Sequence, residues 1–214
     1  MTLAEMLVAM IVMGLFGTLA VAVIAPIADA PYRAQAKVST IQSATEVMYR
    51  LERDLRMSDA SGVYICASGS GWVCTVPTTT LAAANTVAIA TPLDASDHLQ
   101  IDKASGMVAW TGVRVYCLTT DSGGNTDLKY TFVAIGGIGP GPTGIAALAL
   151  ASVDSAVAQA CGTTNLPIAA TNVTALQLSA SAASKEIGLL MVAQTTVGGR
   201  SNETSYSTQI YARN

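Results

Sequence analysis

From Met6 to Ala28 the chain carries no charged residue, and its one hydroxyl is Thr18. About 20 apolar residues suffice for a helix to cross a bilayer, so this run predicts a membrane-length helix. One carboxylate, Glu5, stands at its front edge. Residues 31–57 change character. Val38, Ile41, Thr45, Met48, Glu52 and Leu55 recur at steps of three and four, with Leu51 beside them. Glu46 precedes Arg50, and Glu52 precedes Arg56, at the i,i+4 spacing that supports a helix. The pattern predicts an amphipathic helix that leaves the membrane and lays one face on a domain. The charge run from Arg50 to Arg56 reads as that helix's solvated face. A single helix over residues 1–57 is about 85 Å long at ~1.5 Å per residue.

From Ser58 onward the period shifts to two, the spacing of strands. Candidate strands are residues 63–66, 72–76, 86–90, 112–118, 128–133, 173–179, 187–195 and 205–212, separated by turn residues. Residues 121–125, Asp-Ser-Gly-Gly-Asn, form a strong hairpin signal, and residues 197–202 form another. Residues 136–144 make a Gly/Pro loop, and an Ala-rich helix is expected at about 145–159. The fold class is therefore α+β: a long N-terminal helix on an antiparallel sheet, with small extra strands near Cys66 and Cys74. The expected organisation is a helix over residues 1–57, apolar over 1–28 and amphipathic over 29–57, followed by a β-rich head over 58–214.

Composition narrows the function. Charged residues are 12% and aromatics 5%, with a net charge of −3, so no basic face suggests nucleic acid. The four cysteines, Cys66, Cys74, Cys117 and Cys161, form no C-x-x-C pair, and His98 is the single histidine. An even count in an exported domain reads as two disulfides. Cys66–Cys74, around Gly69, Gly71 and Trp72, with Cys117–Cys161 is the favoured pairing among the three possible. Arg33 and Lys37 follow the apolar run and no basic residue precedes it, which by the positive-inside rule leaves the head in the cytoplasm. That conflicts with disulfides. A basic leader removed ahead of Met1 resolves the conflict.

At this point the opening, Met1-Thr2-Leu3-Ala4-Glu5-Met6-Leu7-Val8-Ala9-Met10, resembles the mature amino terminus of bacterial type IV pilins and type II secretion pseudopilins. In that family a peptidase cuts a short basic leader and the new first residue is N-methylated. Met1 stands where the family usually has Phe. The close of the chain, from Gln209 to Asn214, resembles large minor pilins and J-type pseudopilins more weakly. The resemblance implies a type IV pilin-like fold, a homo-polymer in a helical filament, and partners in the inner-membrane assembly machinery and the prepilin peptidase. It also implies an inner-membrane stage before assembly and a cell-surface filament afterwards. Glu5 is expected to pair with the Met1 amine of a neighbouring copy, because a lone carboxylate in apolar surroundings is costly unless paired. Gly14, Gly17 and Pro26 weaken the helix and mark where it is expected to kink or melt in a filament core. The glycines could equally serve close helix approach.

Chemistry is sparse. Asp121, Asn125 and Asp127 do not match an EF-hand, and Asn and Asp suit turns for local reasons. Asp94, Asp97, His98 and Asp102 form a polar cluster with no second histidine for a zinc triad. No G-x-S-x-G elbow or phosphate loop occurs. Asn172 and Asn202 match the N-glycosylation pattern. The expectation is a filament subunit without catalytic activity, cofactor or metal. The rivals are a minor pilin or pseudopilin, and a membrane-tethered enzyme or binding protein.

Overall fold

The computed structural model describes residues 3–68, 71–136, 138–146, 148–163, 165–181, 184–197 and 200–211. Its first element is one helix, α1 (Leu3–Met57), unbroken through Gly14, Gly17 and Pro26. Fifty-five residues make it about 82 Å long. A 3₁₀ turn (Ala60–Gly62), whose Asp59 side chain accepts from the Ser61 N–H, hands the chain to the strands.

The head contains two antiparallel sheets. The six-stranded sheet runs in the order β2 (Trp72–Thr75), β1 (Val63–Ser68), β4 (Thr86–Thr91), β5 (Gly112–Thr120), β6 (Thr126–Ala134), β7 (Ile168–Ala170). The four-stranded sheet runs β10 (Arg200–Tyr211), β9 (Glu186–Val197), β8 (Val173–Ser181), β3 (Ala82–Ala83). The pattern of apolar residues thus locates the main strands but not their division into two sheets. The strands near Cys66 and Cys74 belong to the larger sheet rather than standing apart. β3 and β7, two and three residues long, are too short to leave a periodic signal.

Burial explains the architecture. Every residue of β4 is buried. Val87 and Ile89 face a core shared with α1 and the four-stranded sheet, while Ala88 and Ala90 face a second core. Successive strand side chains point to opposite faces, so both faces of this sheet are covered. The second cover is helical. The expected helix at 145–159 is instead α2 (Gly141–Ala146) and α3 (Leu150–Cys161), interrupted where Ala149 is extended. Val153, Ala156, Val157 and Ala160 of α3 are buried against the six-stranded sheet.

The back half of α1 meets the head along a face rotated from the expected one. Thr40, Ala44, Val47, Leu51, Asp54, Leu55 and Ser58 are buried, whereas Val38 is 52% exposed and Thr45 is exposed. Small side chains at 40 and 44 let the helix backbone come close to the sheets. Of the expected stripe, Leu51 and Leu55 lie in the seam, Ile41 and Met48 flank it, and Val38 and Thr45 lie outside it.

Candidate assembly surface

The two halves of α1 have opposite surroundings. In the front half every side chain described is exposed, including Leu3 at 82%, Met13 at 79% and Phe16 at 68%. By length and composition the helix can cross a membrane. Glu5 and Pro26 lie within α1, and Met1 lies outside the described residues. A Cβ added at Gly14 or Gly17 meets nothing within 4 Å, so no contact inside the chain requires either glycine.

The back half is fixed by a buried polar clamp. Asp54 is fully buried. The Tyr116 hydroxyl donates to its Oδ2 at 2.6 Å, and Arg53 Nη2 donates to its Oδ1 at 3.1 Å. Arg114, 3% exposed on β5, brings Nε to 3.7 Å from the same carboxylate. Its Nη2 also bonds the Asp97 carboxylate. Arg53 reaches Asp97 at 3.3 Å, so two guanidiniums face two carboxylates and the charges balance. Burial, with the Asp54 charge beside it, pushes the Tyr116 hydroxyl well above its usual range. Burial pushes the Asp97 carboxyl up, but hydrogen bonds and charge from Arg114 and Arg53 outweigh it and hold the group below its ordinary value.

The run from Arg50 to Arg56 is therefore only partly a solvated face. Arg56 does pair with Glu52 and is exposed, and Glu46 lies 3.8 Å from Arg50. Arg50 stacks over the Tyr130 ring at 4.4 Å. Asp54 is the residue that sequence reasoning missed. Its signal was positional: it continues the series 40, 44, 47, 51.

Both disulfides join the favoured partners. Cys66 pairs with Cys74 across β1 and β2, and Cys117 on β5 pairs with Cys161 at the end of α3. The first bridges directly opposed residues of a ladder. The second ties α3 to the sheet it covers.

The other candidates resolve into local structure. Asp121 Oδ1 accepts from the N–H groups of Gly123 and Asn125, and Oδ2 from the Asn125 amide, which closes the β5–β6 hairpin. Asp127 Oδ1 accepts from the Asn172 N–H instead of joining that turn. The Asp94 carboxylate accepts from the N–H groups of His98 and Ser96 and from Gln100, and these bonds hold it below its ordinary range. Asp102 is lowered in the same way by Ser105. His98 stays exposed, 3.8 Å from Asp94. Of this cluster, Asp97 joins the clamp through its carboxylate and Asp94 through its backbone carbonyl, which accepts from Arg114 Nη2 at 3.4 Å. Asn172 sits in the β7–β8 turn at φ 59°, and Asn202 lies exposed on β10. No group of three or more His, Cys, Asp or Glu among the described residues is placed to hold a metal ion. A groove of 1240 Å³ opens beside the clamp, walled by Tyr49, Met57, Leu99, Met107, Trp110 and Tyr211.

Comparison with protein-family models, with curated proteins and with solved structures finds no match for this chain.

Proposed function

We propose that this chain is a structural subunit of a type IV pilus-like filament. Its apolar half-helix packs against the same half-helix of neighbouring copies, and its head is displayed outside the cell. The observation that carries this is the unequal α1. One half is seated on the head by a buried seam and clamp, while the other exposes a continuous apolar surface that the head does not cover. Such a surface must be taken up by lipid or by other copies. Each large apolar side chain that becomes fully buried contributes about 1.5–3 kcal/mol.

Subunits wait in the inner membrane and are transferred by the assembly machinery into the filament. The front carboxylate, Glu5, sets axial register by pairing with the amine of a neighbour, the use to which a lone polar group in an apolar bundle is best suited. Gly14 and Gly17 allow close approach of neighbouring helices or local unwinding near Pro26. The two disulfides suit an oxidising compartment. A pseudopilin or minor pilin shares this plan and differs in abundance outside the cell.

The test is electron microscopy and mass spectrometry of material sheared from cells carrying the chain or Glu5→Ala. Thin filaments dominated by this chain, and their loss in Glu5→Ala, are expected. A chain that stays in the membrane fraction of cells bearing filaments made of something else points to the pseudopilin. Undiminished surface display of Glu5→Ala points to a simple tether.

A further inference from the structure

The four-stranded sheet ends in two unequal edges. β3 contributes two residues, while β10 contributes twelve, paired with β9 residue for residue and without a bulge. The edges of the larger sheet are β2, with four residues, and β7, with three. Proteins ordinarily keep edge strands short, charged, kinked or covered, because an open edge is a template for another strand. From Thr204 to Tyr211, β10 has no charge, proline or glycine.

We propose that β10 pairs, edge to edge, with the Leu81-to-Ala84 segment around β3 of a second copy, extending the four-stranded sheet from one subunit to the next. Three observations select that occupant. First, strand direction: β3, β8, β9 and β10 alternate, so with four strands the two outer edges run in opposite senses. Two copies held in the same orientation therefore bring β10 against β3 antiparallel. This rests on the proposed filament only for that common orientation. A two-fold pairing of β10 with β10 requires the two α1 helices to oppose each other.

Second, level. Register traces Ala83 through Gln177 and Leu190 to Ser207, and Ala82 through Leu178 and Leu189 to Thr208. The short edge thus lies level with the uncharged part of the long one. The residues of β10 before Thr204 leave room for an axial offset between copies. Third, the flank of β3 is built for close approach. Ala82, Ala83 and Ala84 are small, and the Ala84 N–H already bonds β8, as does the Thr78 carbonyl before the bend at Thr79 and Thr80. Leu81, 51% exposed, and Val76, 48% exposed, are open beside it. A contact between unlike edges is head-to-tail, and such contacts repeated by a rotation that does not close produce helical filaments.

All four native cysteines are in disulfides, so introduced thiols report cleanly. Ala83→Cys is combined in turn with Ser205→Cys, Ser207→Cys and Gln209→Cys in the full-length chain, which is oxidised in membranes and run without reductant. Within one copy the two edges are three strand spacings apart, about 14 Å. A disulfide needs Cα atoms within about 7 Å, so any new bond joins copies. At least one of the three pairs is expected to give a reducible ladder of trimers and larger species, and single variants give dimers at most. If no double variant exceeds its single variants, the edge pairing is wrong. Efficient dimers from Ser207→Cys alone also overturn it, in favour of two-fold pairing. Microscopy of the same samples separates the two ideas. Filaments without a ladder leave the subunit reading standing and sink the edge contact; a ladder without filaments does the reverse.

Discussion

The two halves of α1 are one helix by backbone and two objects by environment. Residues 40, 44, 47, 51, 54 and 55 lose their solvent to the head, while residues 3 to 25, where described, keep theirs. The front half is apolar all round, so no single face could satisfy it by lying on a domain. The back half is apolar in a stripe, and a domain of its own chain covers the stripe. Amphipathicity thus predicts a partner within the chain, whereas uniform apolarity predicts a surrounding medium, lipid or other helices.

A chain lacking residues 1–28 is expected to lose filament formation completely while the head unfolds at nearly its original temperature. Changes to exposed residues stay within about 0.5 kcal/mol, so a shift of roughly 2 °C is the ceiling. Thermal melts monitored by circular dichroism check this. A large drop in melting temperature shows that the front half supports the head after all.

Two carboxylates on the back half give the next contrast. Asp54→Ala strips the buried Tyr116 hydroxyl of its acceptor and leaves the buried Arg114 with one carboxylate fewer, and breaking a buried charge cluster this way costs about 3–5 kcal/mol. Glu46→Ala, in an exposed pair, costs at most about 1 kcal/mol. Urea melts of both variants read the difference, and equal losses would mean that the clamp contributes no more than a surface pair.

The disulfides come third. Replacing Cys117 and Cys161 by serine opens a closed loop of 44 residues and is expected to cost about 4 kcal/mol, against about 2.5 kcal/mol for the 8-residue loop of Cys66 and Cys74. The smallest effect is that of acid. Asp97, Asp94, Asp102 and Asp121 all lie below the ordinary carboxylate value of 3.8 in the folded chain. Their stabilisation is present above that value and is lost as pH falls through the lower folded values. Melting temperature should therefore hold from neutral pH to about 4 and decline below it. Asp97→Asn should flatten part of that decline.

Much of this was legible in the residues, for identifiable reasons. The front half is readable because its signal is local and unbroken. Most strands are readable because alternation survives even in β4, where both faces are covered; what alternation cannot say is that the small face of Ala88 and Ala90 is covered too. The cysteine pairing was readable from one short Gly-rich loop. Asp54 was not, because a carboxylate inside a charge run is buried only if residues far along the chain, here Arg114 and Tyr116, arrive to satisfy it. The edge lengths of the sheets were equally hidden, since they depend on which strands lie side by side.

The strands β4 and β5 belong to both cores at once, and this sets how the head comes apart. Neither the α3 layer nor the α1 layer can lose its packing without uncovering a face of the same two strands. The head is therefore expected to open as one cooperative unit, with no stable half-unfolded form. Amide protons of β4 and β5 should exchange last, and together, at the rate of global unfolding. A subunit with that property is either folded or wholly unfolded, which leaves proteases no partly opened head to trim.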